Sequence, residues 1–307
     1  MKVALLAGGT GGAKLAAGMQ DLVGAELSVI ANTGDDVELI GLYVSPDPDL
    51  VTYWLAGEID EERGWGIKND AFAAFDQLVR FGAPDWFRLS DRDLAACLYR
   101  RHFLDEGGNL TDAQAQIARG LGVEASVLPM SEQPVRTWVR TEAGWTGLQE
   151  YLVVQHGQPA VEAVELRGIG DAEATPAVVA ALDEAELIVI GPSNPVISIG
   201  PILAVPGVRE RIAGCAAPVV AVSPFVAGEV VKGPTERFMR AVGRPATAAG
   251  VASLYEGLLD GMVVDEADPD PAPDGLRVLE DATLMSGGQG RERVARAVLE
   301  FGEALAS

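Results

Sequence analysis

The sequence predicts an α/β fold with a doubly wound, mostly parallel sheet and helices on both of its faces. The first observation is a series of short aliphatic runs, which are typical of strands buried on both sides. These runs are Val3–Ala7, Leu27–Ala31, Leu187–Ile190, Val219–Val222 and Met262–Val264. The second observation is that helical patterns lie between them, an alternation that favours a Rossmann-like sheet. The predicted helices are Ala13–Leu22, Asp70–Phe81, Asp91–Leu104, Asp112–Leu121, Pro176–Ala185 and Ala248–Leu259.

The middle of the chain predicts a small β-rich insert at about residues 123–170. Short segments there are separated by Gly, Pro or charged residues, namely Ala125–Leu128, Val135–Thr141, Leu148–Val154 and Val161–Leu166. We therefore expect a single nucleotide-binding domain over residues 1–307 that carries this insert. The acidic, proline-containing stretch Asp265–Gly275 predicts a solvated loop.

Composition narrows the classes of partner. The 307 residues include 45 acidic and 23 basic ones, for a net charge of −22. Without a basic patch, neither nucleic acid nor an anionic membrane is an expected partner. Cys97 and Cys215 form no CxxC pair, and Met1 to Ala7 run straight into a strand pattern without a leader. We therefore expect a cytoplasmic protein.

A glycine-rich loop follows the first predicted strand and precedes a helix. It contains Gly8, Gly9, Thr10, Gly11 and Gly12, so four of its five residues are glycine. Glycines let backbone amides approach a phosphate closely, and the helix N-terminus adds positive potential. The alternative is a tight turn, but a turn needs fewer glycines, so we favour phosphate binding. The loop matches neither the Walker A pattern nor the dinucleotide fingerprint.

Carboxylates follow the second predicted strand. The segment Asn32–Asp36 includes Asp35, and Asp49 comes fourteen residues later within Pro46–Asp49. Carboxylate oxygens are ligands that Mg²⁺ takes together with substrate phosphates. Asn, Gly and Asp are also ordinary turn residues, so both interpretations stay open.

Two further polar loops follow predicted strands. Gly191–Pro195 contains Ser193 and Asn194 and leads to Ser198, while Ser223 and Pro224 follow the next strand. Ligands bind beyond the carboxyl ends of strands in open α/β sheets, so four such loops predict one site at this edge. The segment Ser90–Asp93 opens a helix, where capping alone accounts for its acids.

Together, these motifs resemble the 2-phospho-L-lactate transferase family of coenzyme F-420 biosynthesis, including its phosphoenolpyruvate-using actinobacterial relatives. The matching segments span nearly the whole chain, and Gly191–Leu203 is the most specific of them. The others are Gly8–Lys14, Asn32–Asp36, Pro46–Asp49, Glu62–Gly66, Asp91–Ala95, Leu128–Ser131 and Val222–Pro224. Where the family pattern has Gly and Thr-His around Asp91–Ala95, this chain has Ser90 and Ala96-Cys97.

The resemblance implies an Mg²⁺-dependent transferase. It would move a phosphate-linked three-carbon acid, 2-phospho-L-lactate or phosphoenolpyruvate, from a guanosine diphosphate adduct to a deazaflavin and release GMP. The acceptor is the ribityl hydroxyl of 7,8-didemethyl-8-hydroxy-5-deazariboflavin, which Asp36 or Asp91 could orient. By resemblance, Asp35 and Asp49 would be catalytic and hold the metal. The nucleotide would bind Gly9, Thr10, Gly11, Gly12, Ser193, Asn194 and Ser198, and the deazaflavin would bind Asp91, Arg92 and Asp93.

Two other functions compete with this one. A related branch of the superfamily contains non-catalytic sugar-nucleotide-binding regulators with a similar glycine loop. A nicotinamide oxidoreductase is disfavoured because the dinucleotide fingerprint fails. The identity of the acid and the oligomeric state stay open at this point, with a homodimer as one candidate.

Overall fold

A seven-stranded parallel sheet forms the centre of the computed structural model, which describes residues 1–306. The strands are β1 (Val3–Ala7), β2 (Leu27–Ala31), β3 (Val37–Leu39), β4 (Leu42–Val44), β5 (Ser126–Pro129), β6 (Arg136–Thr141), β7 (Gly144–Gly147), β8 (Ala163–Arg167), β9 (Leu187–Ile190), β10 (Val219–Val222), β11 (Phe225–Val226), β12 (Glu229–Val230), β13 (Gly261–Asp265) and β14 (Arg277–Asp281). The central sheet has the order β14-β13-β10-β9-β1-β2-β5. The predicted doubly wound fold is confirmed.

Eleven helices surround the strands in the described part of the chain. They are α1 (Gly9–Val23), α2 (Pro46–Leu55), α3 (Ala73–Arg80), α4 (Asp91–Asp105), α5 (Leu110–Gly120), α6 (Pro176–Asp183), α7 (Ile199–Ala204), α8 (Val208–Gly214), α9 (Thr235–Ala241), α10 (Ala248–Leu254) and α11 (Gly287–Ala306). Among residues 1–306, no helix is both long enough and apolar enough to cross a membrane.

The two faces of the sheet bury two different apolar cores. On β1, Leu5 points into the core shared with α1, α2 and α11, and Leu6 points into the core shared with α6, α7, α8 and α10. Successive residues of a strand face opposite sides, so a strand covered on both sides needs an unbroken apolar run. This is why the central strands could be located from the sequence.

Several elements differ from the sequence-based expectation. The segment at Ala125–Leu128 lies in the central sheet as β5, paired with β2, rather than in the insert. Residues 150–154 form a helical turn, so a strand over Leu148–Val154 was wrong. The antiparallel sheet β7-β6-β8 does lie within the predicted insert. Helix α2 was missed because it begins with Pro46 and has Pro48 in its first turn, where the missing amide hydrogens cost little.

Candidate functional site

The winding of the sheet reverses between β1 and β9. From β1 the chain builds outward through β2 and β5, then returns to β9 and builds outward in the other direction. The loops that leave β1 and β9 therefore diverge and open a crevice at the carboxyl edge. A cavity of about 630 Å³ occupies this crevice.

The segments that follow central strands contribute a large share of the cavity wall. The residues that line it from these segments, including the start of α1, are Gly8, Gly9, Thr10, Gly11, Lys14, Asp35, Pro192, Ser193, Asn194, Ile197, Ser198, Ser223, Pro224, Thr283, Leu284 and Met285. Outlying segments add Asp47, Asp49, Tyr53, Trp65, Trp86, Phe87, Arg88, Asp93 and residues 231–235. The structure thus brings the four predicted loops together.

The glycines of the first loop serve different purposes. A side chain on Gly11 would collide with the backbone of Pro192, and one on Gly12 would meet Ser193 and lie 2.8 Å from Cβ of Ala7. These two glycines let the loops after β1 and β9 pack together. Gly9 has φ of +60° and only Ser198, at 4.0 Å, near its open side. Of these three, Gly9 is therefore the glycine that leaves room for a ligand.

Polar side chains fix the shape of the loop after β9. Oδ1 of Asn194 accepts hydrogen bonds from the amides of Val196 at 3.0 Å and Ile197 at 3.2 Å. Oγ of Ser193 accepts from the amide of Gly8 at 3.2 Å, which ties this loop to the glycine loop. Ser198 is buried against Gly8. Nucleotide contacts for these residues stay a prediction.

Asp35 and Asp47 form a pair of buried carboxylates on the cavity wall. Nδ2 of Asn32 lies 2.8 Å from Oδ1 of Asp35, 2.9 Å from Oδ2 of Asp47 and 3.2 Å from the carbonyl oxygen of Ile197. An amide nitrogen carries two hydrogens, so three acceptors compete for two donors. The amide of Gly9 also donates to Asp47, at 2.7 Å. Among residues 1–306, no cation is ion-paired with either carboxylate.

The electrostatics of this pair disfavour two negative charges. Burial, and secondarily the charge of Asp47, raises the pKa of Asp35 well above its usual range. Burial raises the pKa of Asp47 to about 6. A cation placed between two such carboxylates restores their ionised forms. The pair is therefore suited to a divalent metal, and Asp47 was not among the predicted metal ligands.

Asp49, two residues further along α2, has a different environment. Its carboxylate accepts hydrogen bonds from both terminal nitrogens of Arg100, one of them at 3.1 Å. Arg100 is fully buried and also donates to Gln114 at 3.0 Å and to the carbonyl of Tyr43 at 3.1 Å. The charge of Asp49 is thus already compensated inside the protein. That Asp35 and Asp49 hold one Mg²⁺ ion stays a prediction.

Asp93 lies beside Asp49 and also lines the cavity. It accepts a hydrogen bond from the hydroxyl of Tyr53 at 2.8 Å. Burial, followed by the charge of Asp49, raises the pKa of Asp93 to about 7. Potential ligand atoms of Asp49, Asp93 and Cys97 lie within 4.8 Å of one another, but Arg100 already supplies a cation to this group.

The other two predicted deazaflavin residues point elsewhere. The carboxylate of Asp91 accepts from the amides of Ala73 and Ala74, where it caps α3. Arg92 pairs with Glu58 at 3.1 Å and remains 48% exposed. Neither Asp91 nor Arg92 lines the cavity, whereas Asp93 does. Contact of Asp91 and Arg92 with an acceptor therefore stays a prediction without geometric support.

Part of the cavity lining is aromatic. This aromatic lining consists of Trp65, Trp86 and Phe87, and Trp65 is 39% exposed. Trp54, in contrast, is buried in the core beneath Lys14 and Arg291, whose charged groups lie 5.5 and 5.0 Å from its ring. Of Trp54 and Trp65, only Trp65 lines the cavity and is available to a flat ligand. Trp86 and Phe87 lie between α3 and α4. The sequence did not predict them as site residues, because this segment does not follow a predicted strand.

Known proteins resemble this chain over most of its length. The family model described as 2-phospho-L-lactate transferase CofD matches residues 3–279. The chain belongs to this family. A 2-phospho-L-lactate transferase of Methanopyrus kandleri is 40% identical over 309 residues, covering 99% of each chain. A phosphoenolpyruvate transferase of Streptomyces griseus is 38% identical over 314 residues, again with 99% of each covered.

A solved structure confirms the fold independently. A Bacillus halodurans protein has a TM-score of 0.64 to this chain and covers 97% of it, with 99% of that protein matched. Its sequence is only 19% identical, so the likeness concerns the architecture alone.

Proposed function

We propose that this chain is a transferase of coenzyme F-420 biosynthesis. It moves 2-phospho-L-lactate or phosphoenolpyruvate from a guanosine diphosphate adduct to the ribityl hydroxyl of 7,8-didemethyl-8-hydroxy-5-deazariboflavin. The observation that carries this proposal is a single cavity, in a member of this family, that joins three surfaces. These are the glycine loop, a carboxylate pair without a cation, and the aromatic lining.

The proposed binding position for the nucleotide part of the donor is formed by the segments after β1 and β9. Gly9 leaves open space there, and Thr10, Ser193, Asn194 and Ser198 line the same wall. Backbone amides at the start of α1 and small hydroxyl side chains are suited to phosphate oxygens. This wall rests on the buried sheet, so it is held rigidly.

Asp35 and Asp47 fit a divalent ion better than any other carboxylate pair on the described cavity wall. Both face the cavity, and the amide of Asn32 cannot satisfy both of them together with Ile197. Bound Mg²⁺ supplies charge neutralisation for a diphosphate and its transition state. Asp49 helps indirectly in this scheme, since it holds Arg100 and borders Asp93.

In this proposal the acceptor ring stacks against the aromatic lining, and its hydroxyl lies towards Asp93. In the reaction, the hydroxyl oxygen bonds to the phosphorus that carries the three-carbon acid, the bond from that phosphorus to GMP breaks, and GMP leaves. Asp93, whose pKa is raised to about 7, is placed to accept the hydroxyl proton, while Tyr53 orients its carboxylate. Asp36 and Asp91 do not line the cavity, so the proposal gives this role to Asp93 instead.

The test is a reaction with defined donors. Purified protein is incubated with the deazaflavin, Mg²⁺ and either the lactyl or the enolpyruvyl guanosine diphosphate adduct, and products are separated by mass spectrometry. We expect the acceptor to gain the phospho-acid and GMP to appear in equal amount. The preferred donor identifies the acid, and EDTA should stop the reaction. Binding of UDP-N-acetylglucosamine without any transfer would contradict the proposal and favour the regulator.

A further inference from the structure

Two lysines line the cavity. The chain has only four lysines, Lys2, Lys14, Lys68 and Lys232, and two of them, Lys14 and Lys232, line the cavity. Lys14 is half-buried on α1, and Lys232 is exposed on the loop that follows β12. They come from distant parts of the sequence, so only the fold brings them to the same cavity.

The charge of Lys14 acts on Lys232. Desolvation by surrounding protein atoms and then the charge of Lys14 lower the pKa of Lys232. Among residues 1–306, no ion pair involves either lysine. The third basic residue that lines the cavity, Arg88, does have an acidic partner, Asp76 at 3.3 Å. Two neighbouring cations without a carboxylate are notable in a chain with 45 acidic residues.

Each ammonium is held by a backbone carbonyl rather than by an acid. Nζ of Lys14 donates to the carbonyl of Met285 at 3.3 Å, and Nζ of Lys232 donates to that of Gly64 at 3.1 Å. A side chain on Gly64 would bring its Cβ within 2.5 Å of that nitrogen, so the glycine makes room for it. An ammonium has three donors, which leaves further donors on both lysines for a ligand.

We propose that Lys14 and Lys232 form a two-cation subsite for an oxyanion of the donor. This deepens the proposed function and rests on it. A bound oxyanion would remove the repulsion between the two ammonium groups and accept hydrogen bonds from both. The donor carries two such groups, the diphosphate and the carboxylate of the three-carbon acid, and both have the required chemistry.

Calorimetry with lysine variants separates these two groups. GDP and the complete GDP-linked acid are titrated into the wild type, Lys14→Met, Lys232→Met and, as a control, Lys68→Met. Lys68 is exposed, bonds to the carbonyl of Gly57 and does not line the cavity. Loss of a charged hydrogen bond should weaken binding roughly ten- to a hundredfold in the first two variants and leave the control unchanged.

The pattern of losses identifies the group. If both ligands lose affinity, the subsite takes the diphosphate; if only the complete donor does, it takes the carboxylate. Unchanged affinity of both ligands in both variants overturns the subsite while leaving the transferase proposal intact. A wild type that binds neither ligand contradicts the proposed donor instead.

Chemical labelling tests the subsite without variants and without activity. Limited acetylation followed by mass spectrometry gives the reaction rate of each of the four lysines, with Lys68 as internal reference. Pyrophosphate should protect Lys14 and Lys232 severalfold and leave Lys68 unchanged. Equal rates with and without pyrophosphate, GDP and the complete donor overturn the subsite, even if the proposed donor is wrong.

Discussion

Two pairs of buried aspartates border the same cavity, and they differ in what compensates their charge. Asp35 and Asp47 share the amide of one asparagine, whereas Asp49 and Asp93 lie beside the guanidinium of Arg100 and the hydroxyl of Tyr53. Helix α2 carries one member of each pair, Asp47 and Asp49, two residues apart. At about 100° per residue, such positions point to opposite sides of a helix.

The two pairs differ in whether the protein itself supplies a cation. Arg100 forms a buried ion pair with Asp49. Asp35 and Asp47 have no such cation among the described residues, although burial raises the pKa values of all four carboxylates. A buried charge without compensation is costly, which is the physical reason why we propose the metal ion at Asp35 and Asp47 rather than at Asp49 and Asp93.

The largest expected effect comes from removing a carboxylate of the uncompensated pair. Asp47→Asn should lower Mg²⁺-dependent turnover by roughly a hundredfold or more, because a metal ion contributes several kcal/mol to the transition state. The fold should persist, since the lost charge was unfavourable. Turnover measured across a Mg²⁺ titration, with circular dichroism for folding, checks this. Wild-type activity in Asp47→Asn would move the metal away from this pair.

Breaking the compensated pair should act mainly on stability. Asp49→Asn leaves Arg100 buried without its partner, which costs about 3–5 kcal/mol of the free energy of unfolding. Denaturant unfolding of this variant beside Asp47→Asn measures the contrast. Asp49 is buried in α2, so its loss should cost far more stability than the loss of an exposed carboxylate. Equal stability of the two variants would contradict the comparison.

Stability should also depend on pH through Asp47. Its folded pKa of about 6 lies above the ordinary value of 3.8, so the folded state binds more protons between these values. Stability from this group is then full at low pH and falls as pH rises through 6. Near 1.4 kcal/mol per pK unit, the loss is about 2–3 kcal/mol. Metal-free unfolding at pH 5 and pH 8 should show about 1.4 kcal/mol of this fall in the wild type, because one pK unit lies between pH 5 and the folded pKa, and a smaller fall in Asp47→Asn.

The sequence located the sheet and its ligand edge because both depend on local patterns. Buried parallel strands need unbroken apolar runs, and the glycine loop follows one of them directly. The role of each side chain could not be predicted in the same way. The rotation of α2 about its axis decides whether Asp47 or Asp49 lies beside Asp35. The sequence did not predict this helix, because prolines occupy its first turn. Lys232 lies on a loop, and a loop has no hydrophobic periodicity from which its contact with Gly64 could be predicted.

The smallest expected effect concerns Arg92, which forms the same kind of ion pair as Arg100 but in solvent. Arg92 is 48% exposed and Arg100 is fully buried, so the two differ in burial rather than in chemistry. Exposed pairs contribute about 0–1 kcal/mol, so Arg92→Met should change stability within that range, in contrast to Arg100→Met.

The sequence resemblance predicts weaker deazaflavin binding in Arg92→Met. The structure predicts affinity within a few-fold of the wild type, because Arg92 faces Glu58 and not the cavity. Deazaflavin fluorescence titration with GDP and Mg²⁺ present decides between them. A tenfold loss in Arg92→Met, with Glu58→Gln unaffected, would mean that Arg92 leaves its partner and turns into the site when the acceptor binds.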